Sequence, residues 1–268
     1  MTATVTTQEK GDAPYNNRRY LGLRRFNAIM GGMHLLQGIL MIILSNDTAY
    51  PFYTNYLRFD SVASKLVPDS KMAGELLFGP AVAVFLLISA VAHFLLATVA
   101  YKWYVRHLER NMNPGRFYEY ALSSSLMMIL IAMLNGMWDV PSLVLIFGLN
   151  AAMNLFGIMM EYDNEGREQV RWAAFIYGCF AGIIPWIVLA MYLIGAGSQD
   201  AKPPTFVYFI LVSIFIFFNS FAVNMFLQYK KVGPWRDYLF GERMYIVLSL
   251  VAKTALAWQI FAGTLAPV

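Results

Sequence analysis

Lys253 is a lysine in an apolar setting. It lies in Ser249-Leu-Val-Ala-Lys253-Thr-Ala-Leu-Ala-Trp258, and no other basic residue follows Arg243. If this stretch crosses a membrane, an ammonium group near its middle costs at least about 3 kcal/mol and needs a partner or a neutralising modification. A primary amine there can condense with an aldehyde, which makes it an attachment point for a chromophore or cofactor. On this residue alone, a buried ion pair or a transporter's proton site is the more ordinary reading.

Glu119, in Glu119-Tyr-Ala-Leu-Ser-Ser-Ser-Leu-Met-Met, is the natural partner. With helix starts near Arg116 and Arg243 on the same side, Glu119 lies about 5 Å deep and Lys253 about 15 Å. Helical side chains lean toward their own N-terminus, so Lys253 reaches back toward the level of Glu119. Ser249 stands four residues before the lysine and Ser123 four after the glutamate, each on the face of its charged neighbour. They could hydrogen-bond an imine, its counterion or a water, or simply their own helix backbone. Tyr120 belongs to the same surroundings. His34 and His93 fall at a similar depth, about 12–15 Å from the inner boundary. One intramembrane histidine is commonly a hydrogen-bonded core residue. Two beside a Lys–Glu pair predict a polar, hydrated inner cavity able to hold a released proton. Met127, Asn150, Met153, Trp186, Phe218 and Asn219 lie midway along other helices and could wall an apolar pocket, although each alone is ordinary packing.

The elements that must position these residues are spelled out in the hydropathy. Of the 268 residues 59% are hydrophobic and 13% charged, too few charges for a water-facing surface. Seven stretches meet the roughly 20 apolar residues a span requires: about 26–46, 75–100, 117–137, 141–160, 172–194, 205–228 and 244–264. Asn150 and Asn154 make the fourth the weakest. Breakers such as Asn113-Pro114-Gly115, Pro203-Pro204 and Gly233-Pro234 mark the joints. An all-α membrane protein, a seven-transmembrane-helix bundle, is therefore expected over 18–268, behind a disordered cytoplasmic tail at 1–17. The aromatic, partly alternating run Tyr50-Pro-Phe-Tyr-Thr-Asn-Tyr-Leu-Arg-Phe could form a short β-hairpin between the first two helices, or an ordered loop.

Charge sets the orientation. Fifteen Lys and Arg residues fall on the side of the N-terminus and 4 on the other, Lys253 being the twentieth. The positive-inside rule then puts the N-terminus in the cytoplasm and the C-terminus outside. The dispersed basic residues argue against nucleic acid as partner. A single cysteine, Cys179, excludes an internal disulfide and argues against a cysteine metal site. No metal and no enzymatic activity are expected.

The chain resembles the heliorhodopsins over nearly its whole length. The resemblance rests on Glu119-Tyr-Ala-Leu-Ser-Ser-Ser, Ile146-Phe-Gly-Leu-Asn-Ala, Gly182-Ile-Ile-Pro-Trp-Ile, Phe217-Phe-Asn-Ser-Phe-Ala and the long run from Gly241 through Lys253 to Phe261. It implies retinal, all-trans in the dark, on Lys253 as a protonated Schiff base. It further implies Glu119 as counterion, Ser249 beside the imine, His34 and His93 in an inner cavity, and a homodimer. Small residues Gly148 and Ala152 on the fourth span add a weak hint of close helix approach. The downstream signalling partner is unnamed by the sequence.

Two functions compete. One is a light sensor with a slow photocycle and no net transport. The other is a light-driven proton or ion transporter. Outward pumps place a second carboxylate four residues before the lysine and a proton donor three turns along the third helix. Here Ser249 and Leu130 hold those places, which favours the sensor. A colourless Lys/Glu proton-coupled carrier is a third class.

Overall fold

The computed structural model describes residues 17–197 and 204–266. The expected tail, apart from Asn17, and Lys202 lie outside them. Among the described residues seven helices are long and apolar enough to span a membrane: α1 (Arg18–Leu44), α2 (Phe78–Ala97), α4 (Pro114–Leu134), α5 (Val140–Asp163), α6 (Ala173–Gly197), α7 (Thr205–Tyr229) and α8 (Tyr238–Ile260). The short α3 (Tyr101–Leu108) follows α2. A π-helical turn, Phe261–Leu265, extends α8.

Local chemistry sets the starts. Asn17, Asn113, Asp139 and Asp237 cap α1, α4, α5 and α8 by accepting N–H bonds within the first turn. Pro114 and Pro141 occupy first-turn positions, where no N–H is needed. The sequence places the first span late, at 26. The helix in fact begins at Arg18, because its arginines ride its polar first turns and Arg24 donates to the Ala97 carbonyl and lies over the Tyr101 ring.

The hairpin is present and long. β1 (Ala49–Asp60) pairs antiparallel with β2 (Lys65–Leu77), with an irregularity at Phe52/Tyr53. Its first strand packs on the end of the bundle where α5 begins: Tyr53 N–H donates to the Trp138 carbonyl and Asn55 to Asp139.

Large apolar side chains such as Leu145, Phe180, Ile194 and Phe209 face outward. On a water-soluble protein that surface would aggregate, and in a bilayer it is the lipid face. The main core fills the middle of the bundle and the half nearer the hairpin with Phe85, Leu86, Met128, Leu130, Ile131, Leu256 and Ile260, all fully buried. The chain is thus a multi-pass protein embedded in the lipid bilayer.

Candidate functional site

Lys253 on α8 and Glu119 on α4 meet: Lys253 Nζ donates to Glu119 Oε1 at 2.7 Å and to Ser249 Oγ at 2.9 Å. Their side chains are 4% and 8% exposed, so this is a buried ion pair, and removing one partner costs roughly 3–5 kcal/mol. Ser89 on α2, buried and absent from the sequence reading, donates to the same Glu119 oxygen at 2.6 Å. A lone serine one turn before His93 in an otherwise apolar helix was the available signal. Ser123 is fully buried one turn from Glu119, and Tyr120 lays its ring 5.1 Å from the Lys253 ammonium. Tyr120 also donates its hydroxyl to the Tyr245 carbonyl, tying α4 to α8 beside the pair.

His34 and His93 come together as stacked rings with centroids 5.5 Å apart. His93 Nδ1 lies 2.8 Å from Asn27 Oδ1. The Asn27 amide nitrogen is already committed to the Leu23 carbonyl, so its oxygen faces His93 and the ring must donate. That assignment leaves Nε2 of a neutral His93 with its lone pair free to take a proton. His34 is fully buried and its ring nitrogens have no protein partner among the described residues. A small cavity of about 20 Å³ joins His93 and Glu119 to Asn113, Arg116 and Glu242, room for about one water.

Below it lies a second charged group. Arg116, counted with the surface charges in the sequence, is 5% exposed and buried between Glu161 and Glu242. It spans both carboxylates, with Glu161 at 2.5 Å, and its guanidinium lies 3.7 Å over the Tyr245 ring. Sequence reasoning missed Glu161 and Glu242, because each sits near a helix end beside other charges and reads as solvated. Arg116 is therefore a buried charge and not one of the solvated ones on the side of the N-terminus.

On the other side of Lys253 opens an apolar cavity of about 360 Å³, within the usual range for a small-molecule site. Met127, Met153, Trp186, Phe218 and Asn219 line it as the sequence reading expects, while Asn150 does not. Asn150 stands behind the wall, donating to Ser124 and Ser125, and Asn154 lines the cavity instead. Phe117, Gly157, Gly182, Phe221 and Met225 also contribute. A Cβ on Gly182 would meet Met153 Sδ at 2.4 Å, and one on Gly157 would meet the Phe117 ring at 2.1 Å. Both glycines therefore let wall side chains lie flat against helix backbone. Trp186 packs edge-on to Phe215 and Phe218 beside Pro185, which lies inside α6. An amine paired with a carboxylate beside flat apolar walls can take a long conjugated aldehyde.

Comparison with known proteins adds the following. The family model described as Heliorhodopsin matches residues 23–265. No curated protein matches the chain. Among solved structures, the crystal structure of cyanorhodopsin from the cyanobacterium Tolypothrix sp. is similar with a TM-score of 0.63, covering 92% of this chain and 95% of that one. At 9% identity that likeness shows the fold alone.

Proposed function

Because the chain belongs to the heliorhodopsin family of rhodopsin-like photoreceptors, which are not enzymes, we propose that it senses light with retinal carried on Lys253 and moves no net charge across the membrane. The observation that carries this reading is the position of Lys253. Its amine lines an apolar cavity with Glu119 and Ser249 within hydrogen-bond reach. Bound through that amine as a protonated Schiff base, all-trans retinal supplies visible absorption and a light-driven change of shape to the 13-cis form.

The chain's own groups do the rest. Glu119 keeps positive charge on the Lys253 nitrogen, and Ser89 and Ser249 orient that contact. Met127, Met153, Trp186, Phe218 and Asn219 fix the position of the apolar body and exclude water. A proton leaving the Lys253 nitrogen finds Glu119 first, then the free Nε2 of His93 across the small cavity. Outward of Lys253 the described spanning helices hold no carboxylate or histidine. Their polar contacts there are amides and hydroxyls, such as Ser213 with Gln259 and Trp258 with Gln37. A displaced proton returns by the way it came, which suits a slow signalling cycle better than a pump.

The 15-to-4 basic bias supports a cell-membrane orientation with the N-terminus in the cytoplasm and the C-terminus extracellular. A homodimer follows from the resemblance; Gly148, exposed on α5 with nothing within 4 Å of an added Cβ, leaves room for a partner helix. Expression with all-trans retinal should give a coloured protein. A protein that stays colourless while correctly inserted would favour the proton-coupled carrier.

A further inference from the structure

The second buried charge cluster is used by none of the steps above, and its charges do not balance. Lys253 is satisfied by Glu119. Arg116 faces two carboxylates, Glu161 and Glu242, at 4% and 1% exposure. The groups packed around them are Tyr104 from α3, Asn113 before α4, Tyr229 from α7 and Tyr238 and Tyr245 from α8. All are neutral, and His93, which lines the small cavity with Arg116 and Glu242, spends its Nδ1 proton on Asn27 and is neutral in the resting arrangement assigned above, so no second cation stands among these neighbours. A buried carboxylate without its own counter-charge is protonated rather than left ionised.

We propose that the Arg116–Glu161–Glu242 cluster binds one proton in the resting protein, carried on Glu161 against Tyr238, and so forms a proton store at the inner end of the bundle. The hydrogen bonds pick the carrier. Glu242 accepts from Arg116, from Tyr104 at 2.9 Å and from the Asn113 amide at 2.6 Å. That amide cannot turn, because its oxygen caps the Arg116 N–H at 3.2 Å. Glu161 accepts from Arg116 at 2.5 Å and the Asn113 N–H at 2.6 Å, and its third contact, Tyr238, is the longest at 3.2 Å. A tyrosine hydroxyl both donates and accepts, so Tyr238 can turn its own proton away and accept one from Glu161 across the same contact. The cluster then holds one guanidinium, one carboxylate and one carboxylic acid, and its net charge is zero. The one-water cavity beside Glu119 reaches Arg116 and Glu242, which links this store to the Lys253 pair.

Infrared spectroscopy of the full chain in membranes, in the dark at neutral pH in H2O and D2O, tests this. A carboxylic-acid carbonyl band that shifts down in D2O is expected in the wild type and in Glu119→Gln. It should vanish in Glu161→Gln and in Glu242→Gln, since either leaves one carboxylate against Arg116. Tyr238→Phe should move the band to higher frequency and Tyr104→Phe should leave it in place. These two variants decide the question even if the glutamine variants do not accumulate. No such band in the wild type, a band that survives both cluster substitutions, or one that disappears in Glu119→Gln overturns the store. A shift in Tyr104→Phe alone overturns the assignment to Glu161. The band belongs to the chain itself, so it is read whether or not retinal binds. A failure of the light-sensing reading is therefore distinguishable from a failure here.

Discussion

The two halves of this bundle, called inner and outer after the proposed orientation with the N-terminus inside, are built from the same seven helices and carry opposite chemistry. The inner half buries Glu119, His34, Arg116, Glu161 and Glu242, with His93 beside them, joined through asparagine and tyrosine side chains. The outer half is packed with Leu130, Ile131, Met133, Leu256 and Ile260 and closed by a hairpin. Lys253 stands at the border. The contrast teaches that one border residue can have proton partners on one side only, which is a way to detect a charge movement without conducting it.

The largest effect expected is at the border itself. Lys253→Ala should abolish visible absorption while the protein remains folded and membrane-inserted, checked by an absorption spectrum against protein yield. A retained visible band would remove Lys253 as the attachment site. Next, Glu119→Gln should shift the absorption maximum strongly to the red, because the positive charge loses a carboxylate at 2.7 Å. An unchanged spectrum and imine titration would assign the counterion to another group.

The asymmetry predicts a third result. Illuminated cells or vesicles should show no sustained pH change sensitive to a protonophore, because the outer half of the described helices has no group to pass a proton on. A steady light-driven current would break the comparison and demand an outer route. On the inner side, replacing His34 and His93 together should change the time a light-displaced proton stays away, by several-fold, measured by time-resolved absorption. A cycle identical to wild type would move the acceptor elsewhere, the Glu161 cluster being the nearest alternative.

These halves were unequally legible in the sequence. Seven spans, the hairpin's location and the Lys253–Glu119–Ser249 contact could be read because ionisable residues inside apolar runs are rare enough to stand out. Ser89 is passed over despite its isolation, since a serine in a helix usually bonds its own backbone, and the Phe85 carbonyl is the competing acceptor for its one hydroxyl proton. Arg116, Glu161 and Glu242 were hidden by position: at helix ends, one-dimensional spacing does not tell a solvated charge from one folded inward. Asn150 was misplaced by one layer, because helical periodicity gives a face but not which of two successive asparagines reaches the cavity. The hairpin's 12- and 13-residue strands exceed the short one expected, since β2 contains Pro68, Asp69 and Gly74 and lacks a strand pattern of its own.

The smallest effect lies at the outer cap and should leave the site untouched. Asp139 caps α5 by accepting from the Ser142 N–H at 3.0 Å and its hydroxyl at 2.7 Å, and it accepts from Asn55 of the hairpin at 2.8 Å. These bonds, the Ser142 hydroxyl foremost, hold its carboxyl below the ordinary aspartate range. A carboxyl lowered in the folded state stabilises the fold above its unfolded value of about 3.9, and that contribution fades as pH falls through the lower folded value. Asp139 is close to solvent, so screening keeps the term small, about 1 kcal/mol or less. Asp139→Ala should remove the cap as well, costing about 0.5–2 kcal/mol at neutral pH. Asp139→Asn retains a capping oxygen, so it should lose less at neutral pH and show a flatter stability profile below about pH 4. Thermal unfolding of the three proteins across that range measures this, and their visible spectra at neutral pH should coincide. Coincidence is the point of the comparison: an ionisable group in the outer half should matter to stability and not to the charge on Lys253. A spectral shift in Asp139→Asn would show that the apolar outer core transmits charge after all, and the sharp division between the halves would fall with it.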